Sequence, residues 1–119
     1  MNDVPDLTGL VALIVEDHPE SALLVDAVMA ESGIRLVPAR TAEQAREILK
    51  ALQPDIILCD LVLPGEDGLA FIRWLRANGG DDGDAVPAVA MTAFYERFGA
   101  REVGDAGFDV LLQKPIEPE

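Results

Sequence analysis

Asp55-Ile56-Ile57-Leu58-Cys59-Asp60-Leu61-Val62-Leu63-Pro64-Gly65-Glu66-Asp67-Gly68 is the stretch on which the fold turns. It begins as an apolar run over 55–59, meets a carboxylate at Asp60, and continues into a loop marked by Pro64-Gly65 and Gly68. Beyond the loop, Leu69, Ile72 and Leu75 share one face of a helix. A strand that is apolar throughout, rather than at alternate positions, is covered on both faces, as in a parallel sheet between helix layers.

The same alternation recurs on either side. Leu10 to Val15 is a continuous apolar run, and Pro19 to Ser32 carries Leu24, Val25, Val28 and Met29 at helical spacing before Gly33 stops it. Ile34 to Val37 reads as a second strand. Thr41 and Gln44 make a capping box that opens a helix through Ala45, Ile48, Leu49 and Leu52, ended by Pro54. Toward the C-terminus, Val86 to Met91 reads as a fourth strand, Phe94 to Ala106 as a helix weakened by Gly99 and Gly104, and Phe108 to Leu112 as a fifth strand. Right-handed crossovers place such helices on both faces of one sheet. The expectation is a doubly wound α/β domain over 1–119 with five parallel strands in the order 2-1-3-4-5.

Composition narrows the function. The chain has 119 residues, half of them apolar, with Lys plus Arg 9 against Asp plus Glu 22, a net charge of −13. That balance argues against direct contact with nucleic acid or an anionic membrane and suits cations. No apolar run approaches the roughly 20 residues of a membrane span, and the acidic start is unlike a signal peptide, so a cytoplasmic protein is expected. The single cysteine, Cys59, leaves no internal disulfide and no CxxC zinc knuckle. The Gly/Asp-rich stretch before Val86 lacks the Glu of an EF-hand and reads as a connector.

Open parallel sheets bind ligands at the carboxyl ends of their strands, where strand order reverses. The first strand runs into Glu16-Asp17, the third into Asp60, the fourth into Thr92, and Lys114 lies just past the fifth. Three carboxylates gathered there raise one another's pKa unless a cation compensates them. Oxygen ligands with no His or Cys cluster favour a hard ion, and an incomplete cage suits Mg²⁺. Lysine and threonine on the same rim supply the charge and hydroxyl that a transferring phosphoryl group needs, which makes Asp60 a candidate nucleophile. Taken singly, Asp60 reads as a turn residue, Glu16 and Asp17 as helix caps, Thr92 as an N-cap and Lys114 as a surface lysine. The constellation is what favours the site. His18 reads as a helix-start residue, Cys59 as a small buried hydrophobe, and Phe71 and Trp74 as packing.

The ordered set Glu16-Asp17, Asp60-Leu61-Val62-Leu63-Pro64-Gly65-Glu66-Asp67-Gly68, Met91-Thr92-Ala93 and Lys114-Pro115 closely resembles the receiver domain of two-component response regulators, over essentially the whole chain. The resemblance implies a flavodoxin-like, chemotaxis-type fold. It implies that Asp60 is the phosphoacceptor, taking its phosphoryl group from the phosphohistidine of a sensor histidine kinase or phosphotransfer protein. Glu16, Asp17, Asp60 and the backbone carbonyl of Val62 would hold Mg²⁺, Thr92 would bind a phosphoryl oxygen, and Lys114 would pair with the phosphate or with Asp60. Pro115 would follow a cis peptide bond. Such a protein is a switch that catalyses only its own phosphorylation and dephosphorylation, and its output is a downstream protein or an attached domain.

Two departures from the family pattern carry expectations. Leu111 stands where the family usually has Tyr or Phe, which shifts any switch coupling toward Phe94 or Tyr95 or weakens it. The chain stops at Pro118-Glu119, in the first turn of an expected final helix, so the fifth strand should lose cover on one face and favour self-association, including a homodimer. Val62 and Phe94 beside the site should hinder the attacking water and lengthen the life of the phosphoryl group. The alternative reading is a receiver-like interaction module that works without phosphorylation. A phosphohydrolase is a weaker rival, because Val62 stands where such enzymes carry a second Asp.

Overall fold

Four of the five strands are largely apolar runs, and the computed structural model, which describes residues 6–78, 86–93 and 97–114, shows the sheet that results. Val11–Val15 (β1), Arg35–Ala39 (β2), Ile56–Asp60 (β3), Ala88–Thr92 (β4) and Val110–Gln113 (β5) form one sheet in the order β2-β1-β3-β4-β5. Every pairing is parallel. Between strands run Pro19–Ala30 (α1), Ala42–Leu49 (α2), Gly68–Asn78 (α3) and Ala100–Ala106 (α4). This is the doubly wound order expected from the sequence.

Register places the core on two unequal faces. Leu13, Val15, Ile57, Cys59, Ala88 and Ala90 point into the larger cluster, filled from the helices by Ala45, Phe71, Ile72, Leu75 and Val103. The alternate residues Ile14, Leu58 and Met91 point the other way and meet Val25 of α1 in a smaller cluster. The central strands are buried on both sides, as their unbroken apolar runs require.

Element ends differ from expectation by one or two residues in most strands, and side chains explain two of the shifts. Asp55 lies outside β3 because its carboxylate accepts the Val11 amide at 2.8 Å while its own amide donates to the Val11 carbonyl at 2.7 Å. Asp109 does the same for Ala88 at the foot of β4, with bonds of 2.9 Å in both directions, so β5 starts at Val110 rather than Phe108. Phe108 instead donates to the Val103 carbonyl and closes α4. The capping box forms, with Gln44 N–H donating to Thr41 Oγ1 at 3.0 Å. Its return bond reaches one residue further out, from Arg40 N–H to Gln44 Oε1.

The largest correction concerns the fourth helix. Expected over 94–106, it runs, among the described residues, over Ala100–Ala106, opening at Gly99, which offers no side-chain cap. Phe98 lies before the helix and packs against the larger core cluster. The expectations placed on Phe94 and Tyr95, on the connector over 79–84, and on Pro115, Pro118 and the final helix lie outside the described residues. Among the described residues no helix is long and apolar enough to cross a membrane.

Candidate functional site

β1, β3 and β4 end together: β3 closes on Asp60, β4 closes on Thr92, and β1 runs straight into Glu16-Asp17. β3 continues one residue beyond its apolar run because Asp60 pairs with Met91 in the ladder, which fixes its backbone and leaves its side chain on the rim. Leu61 N–H donates to the Met91 carbonyl at 2.9 Å, and Glu16 N–H to the Ala39 carbonyl at 2.9 Å, so both acidic positions are anchored through main chain. Glu16, Asp60 and Thr92 are buried polar residues. Burying three such groups at one end of a sheet costs folding free energy unless they find partners.

Lysine supplies most of the compensation. Lys114 follows β5, and its amide donates to the Thr92 carbonyl at 2.8 Å. Its ammonium reaches across the rim to Asp60 Oδ2 at 2.9 Å and also ion-pairs with Glu16 Oε1. The other Asp60 oxygen, Oδ1, accepts the Val62 amide at 3.0 Å, so the carboxylate is held from both sides. Burial, with help from Asp60 and against Lys114, pushes the Glu16 carboxyl above its ordinary range. For Lys114, burial pulls downward, but hydrogen bonds and charge from Glu16 and Asp60 outweigh it and leave the pKa above 10.5.

One cation is not enough for three carboxylates. Oxygens of Glu16, Asp17 and Asp60 lie within 4.8 Å of one another, close enough to share a metal ion. Asp17 Oδ1 is buried without a hydrogen-bond partner. A buried acceptor left open beside two other carboxylates is what a hard cation would satisfy, so the donor set fits Mg²⁺.

Glu16, Asp17, Asp60 and Lys114 come together on the rim, and Thr92 ends β4 beside the strand that carries Asp60. His18 is the residue before α1, with an exposed side chain 4.0 Å from Asp17, and Cys59 is buried. Burial beside the acidic groups pushes the Cys59 thiol well up and keeps it protonated. Leu111 is half-buried against the larger core cluster. Val62 exposes its side chain, while Phe94 lies outside the described residues.

Sequence reading assigned no role to Gly68 beyond its place in a loop. It opens α3 hard against the Asp60–Leu61 segment: a Cβ there would strike the Asp60 carbonyl oxygen and come within 2.9 Å of Leu61 Cα. The available signal was a glycine at a helix start directly after an Asp. Asp67 is that helix's cap, its Oδ1 accepting the Ala70 amide at 2.8 Å.

Comparison with known proteins agrees with this geometry. Residues 12–119 match the family described as response regulator receiver domain. PetR of Rhodobacter capsulatus is 35% identical over 107 residues, 90% of this chain and 43% of PetR. The DNA-binding response regulator MtrA of Mycolicibacterium smegmatis is 32% identical over 107 residues, 90% of this chain and 45% of MtrA. The chain thus spans less than half the length of these two relatives. The polar-differentiation response regulator DivK of Brucella anthropi, 29% identical, is matched over 87% of this chain and 83% of its own. Among solved structures, the receiver domain of a sensor histidine kinase from Pseudomonas aeruginosa, with magnesium coordinated in its active-site cleft, superposes with a TM-score of 0.81. It is 30% identical, covering 92% of this chain and 88% of that one. On its matched residues, its strand order and its acidic rim, the chain belongs to the response regulator receiver domain family.

Proposed function

We propose that Asp60 accepts a phosphoryl group from the phosphohistidine of a sensor histidine kinase or phosphotransfer protein, and that the charge it brings switches partner binding. The observation that carries this reading is the convergence of Asp60 with Glu16, Asp17 and Lys114 at the switch point of the sheet. A carboxylate oxygen of Asp60 attacks phosphorus, the O–P bond forms, the P–N bond breaks, and the imidazole nitrogen keeps the electron pair. Val62 N–H, on Asp60 Oδ1, fixes the carboxylate plane for that attack. Glu16, Asp17, Asp60 and the Val62 carbonyl would hold Mg²⁺, which when bound neutralises the carboxylates and the charge on the phosphoryl oxygens.

Lys114 moves from the carboxylate to a phosphoryl oxygen, and the Thr92 hydroxyl donates to another. The added charge of about −1.5 to −2 draws Thr92 inward. Because β4 and β5 share a ladder through Thr92 and Gln113, that movement reaches the α4–β5 face. The chain acts on itself rather than turning over a substrate. A downstream protein or an attached domain reads the switch.

The test is phosphorylation by acetyl phosphate, with and without Mg²⁺, read by intact mass. A Mg²⁺-dependent gain of one phosphoryl group, lost in Asp60→Asn, is expected. A folded chain that binds Mg²⁺ yet gains nothing would instead be an interaction module independent of phosphorylation.

A further inference from the structure

In the loop that carries Val62 from β3 to α3, Leu61 and Leu63 are buried in the larger core cluster, and beyond Leu63 the chain leaves the core. Pro64 and Gly65 are exposed at its tip, where Gly65 takes a φ of 79°. A cavity of about 370 Å³ separates the tip from the start of α2, lined by Thr41, Glu43, Arg46, Pro64 and Glu66. On the far side of Arg46 a second space of about 470 Å³ runs between α2 and α3, bordered by Leu49, Trp74 and Leu75. Arg46 stands between the two. Its Nη2 ion-pairs with Glu66 Oε1 of the loop, and its guanidinium lies 5.2 Å from the Trp74 ring centroid. Trp74 is in turn stacked on the buried Phe71, with centroids 6.2 Å apart. Arg46 Nε is buried without a hydrogen-bond partner, so the guanidinium's orientation rests on Glu66 and the indole face.

We propose that Arg46 is a positioning residue for the phosphoryl site: through Glu66 it ties the 61–67 loop to α2 and to Trp74 of α3, and so fixes the Val62 backbone beside Asp60. The proposal rests on the function given above. It differs from that function in turning on Arg46, Glu66 and Trp74, which lie outside the acidic cluster at Asp60. Glu66 lies four residues after Val62, and Gly68 N–H closes the same loop onto the Leu61 carbonyl at 2.9 Å. Leu63 holds the middle of the loop to the core that α2 shares, and beyond it the Arg46–Glu66 ion pair ties the tip to α2. A metal-binding carbonyl on a loop free to sample other conformations loses affinity by the fraction of time it is out of place.

The experiment compares wild type, Arg46→Ala, Glu66→Gln, the double variant, and the charge swap Arg46→Glu with Glu66→Arg. Calorimetric Mg²⁺ affinity, amide exchange of the metal-free protein and acetyl phosphate uptake are read on each. Either single variant should weaken Mg²⁺ binding by about three- to tenfold, with the double no worse than a single. Amides over 62–68 should exchange faster without metal while those of α1 do not change, and the swap should recover most of the lost affinity. Arg46→Lys, which keeps the charge but loses the planar fork, carries the same comparison should Arg46→Ala fail to fold. Single variants equal to wild type in affinity and exchange, or a double variant that sums the two losses, overturn the proposal while wild-type phosphorylation stands. A wild type that neither binds Mg²⁺ nor takes up a phosphoryl group overturns the underlying function and this proposal with it.

Discussion

Glu16 and Lys114 share one buried ion pair but respond differently to its loss. A carboxyl whose folded pKa lies above its unfolded value of 4.5 is bound by protons more tightly in the native state. Its contribution to stability is therefore present below that value and lost as pH rises through the raised one, so at neutral pH the ionised Glu16 is a net cost. Glu16→Gln should stabilise the metal-free protein by about 1 kcal/mol, and in Mg²⁺ the order should reverse as the carboxylate gains a cation. Urea midpoints with and without Mg²⁺ check this; a variant less stable than wild type in metal-free buffer contradicts it. Lys114 has the same sign, its contribution complete below 10.5 and lost above its raised pKa. Lys114→Met leaves Glu16 and Asp60 facing each other unpaired, and should cost about 3–5 kcal/mol without metal. Mg²⁺ should restore part of that loss, and a variant whose melting temperature ignores Mg²⁺ contradicts the shared-cation account. The residues of this network were legible in sequence because each ends a strand, a local property. Their pairing was not, since Lys114 meets Asp60 across 54 residues.

Two elements carry the site's precision, α3 by close approach and α4 by weakness. Gly68 lets the start of α3 lie against the Asp60 and Leu61 backbone, with no room for a Cβ. Gly68→Ala must push the Asp60–Leu61 backbone or the helix aside, which should cost about 1–3 kcal/mol and slow acetyl phosphate uptake. Uptake at the wild-type rate in a folded variant would show that this contact does not hold Asp60 in place. In α4, Gly104 is exposed, and a Cβ added there meets nothing within 4 Å. Gly104→Ala should therefore stabilise by about 1 kcal/mol and slow amide exchange over 100–106; unchanged exchange would mean that tertiary contacts, not helix propensity, set the opening of α4. Sequence periodicity found every element among the described residues but placed several ends wrongly, for a physical reason. Asp55 and Asp109 read as parts of their strands but act from outside as hydrogen-bond stops. Gly107, at φ 131°, ends α4 where its missing side chain admits Arg76, whose Nε and Nη2 donate to the Gly107 carbonyl at 3.0 and 2.8 Å.

Across the whole molecule the two sheet faces are unequally covered. Leu111 packs against the larger cluster, so by strand alternation Val110 and Leu112 face the side served by α1. They pair in register with Val89 and Met91 of that side, yet are 47% and 40% exposed, and Leu23 of α1 is 68% exposed. Apolar surface of this kind favours association between copies, while a net charge of −13 opposes it. The two effects differ in range: burial acts at contact, whereas repulsion between surface charges is screened with a Debye length of about 10 Å at 0.1 M salt and about 3 Å at 1 M. Salt therefore removes the opposing force and leaves the attractive one. Sedimentation of the 119-residue chain should shift from monomer toward dimer as NaCl rises from low to about 0.5 M. Leu112→Lys, which places a charge on the exposed strand away from the acidic cluster, should hold the chain monomeric over the same range. A single mass at every salt concentration would mean that the exposed strand is too small or too well hydrated to recruit a second copy. Association that Leu112→Lys leaves intact would place the contact on another face.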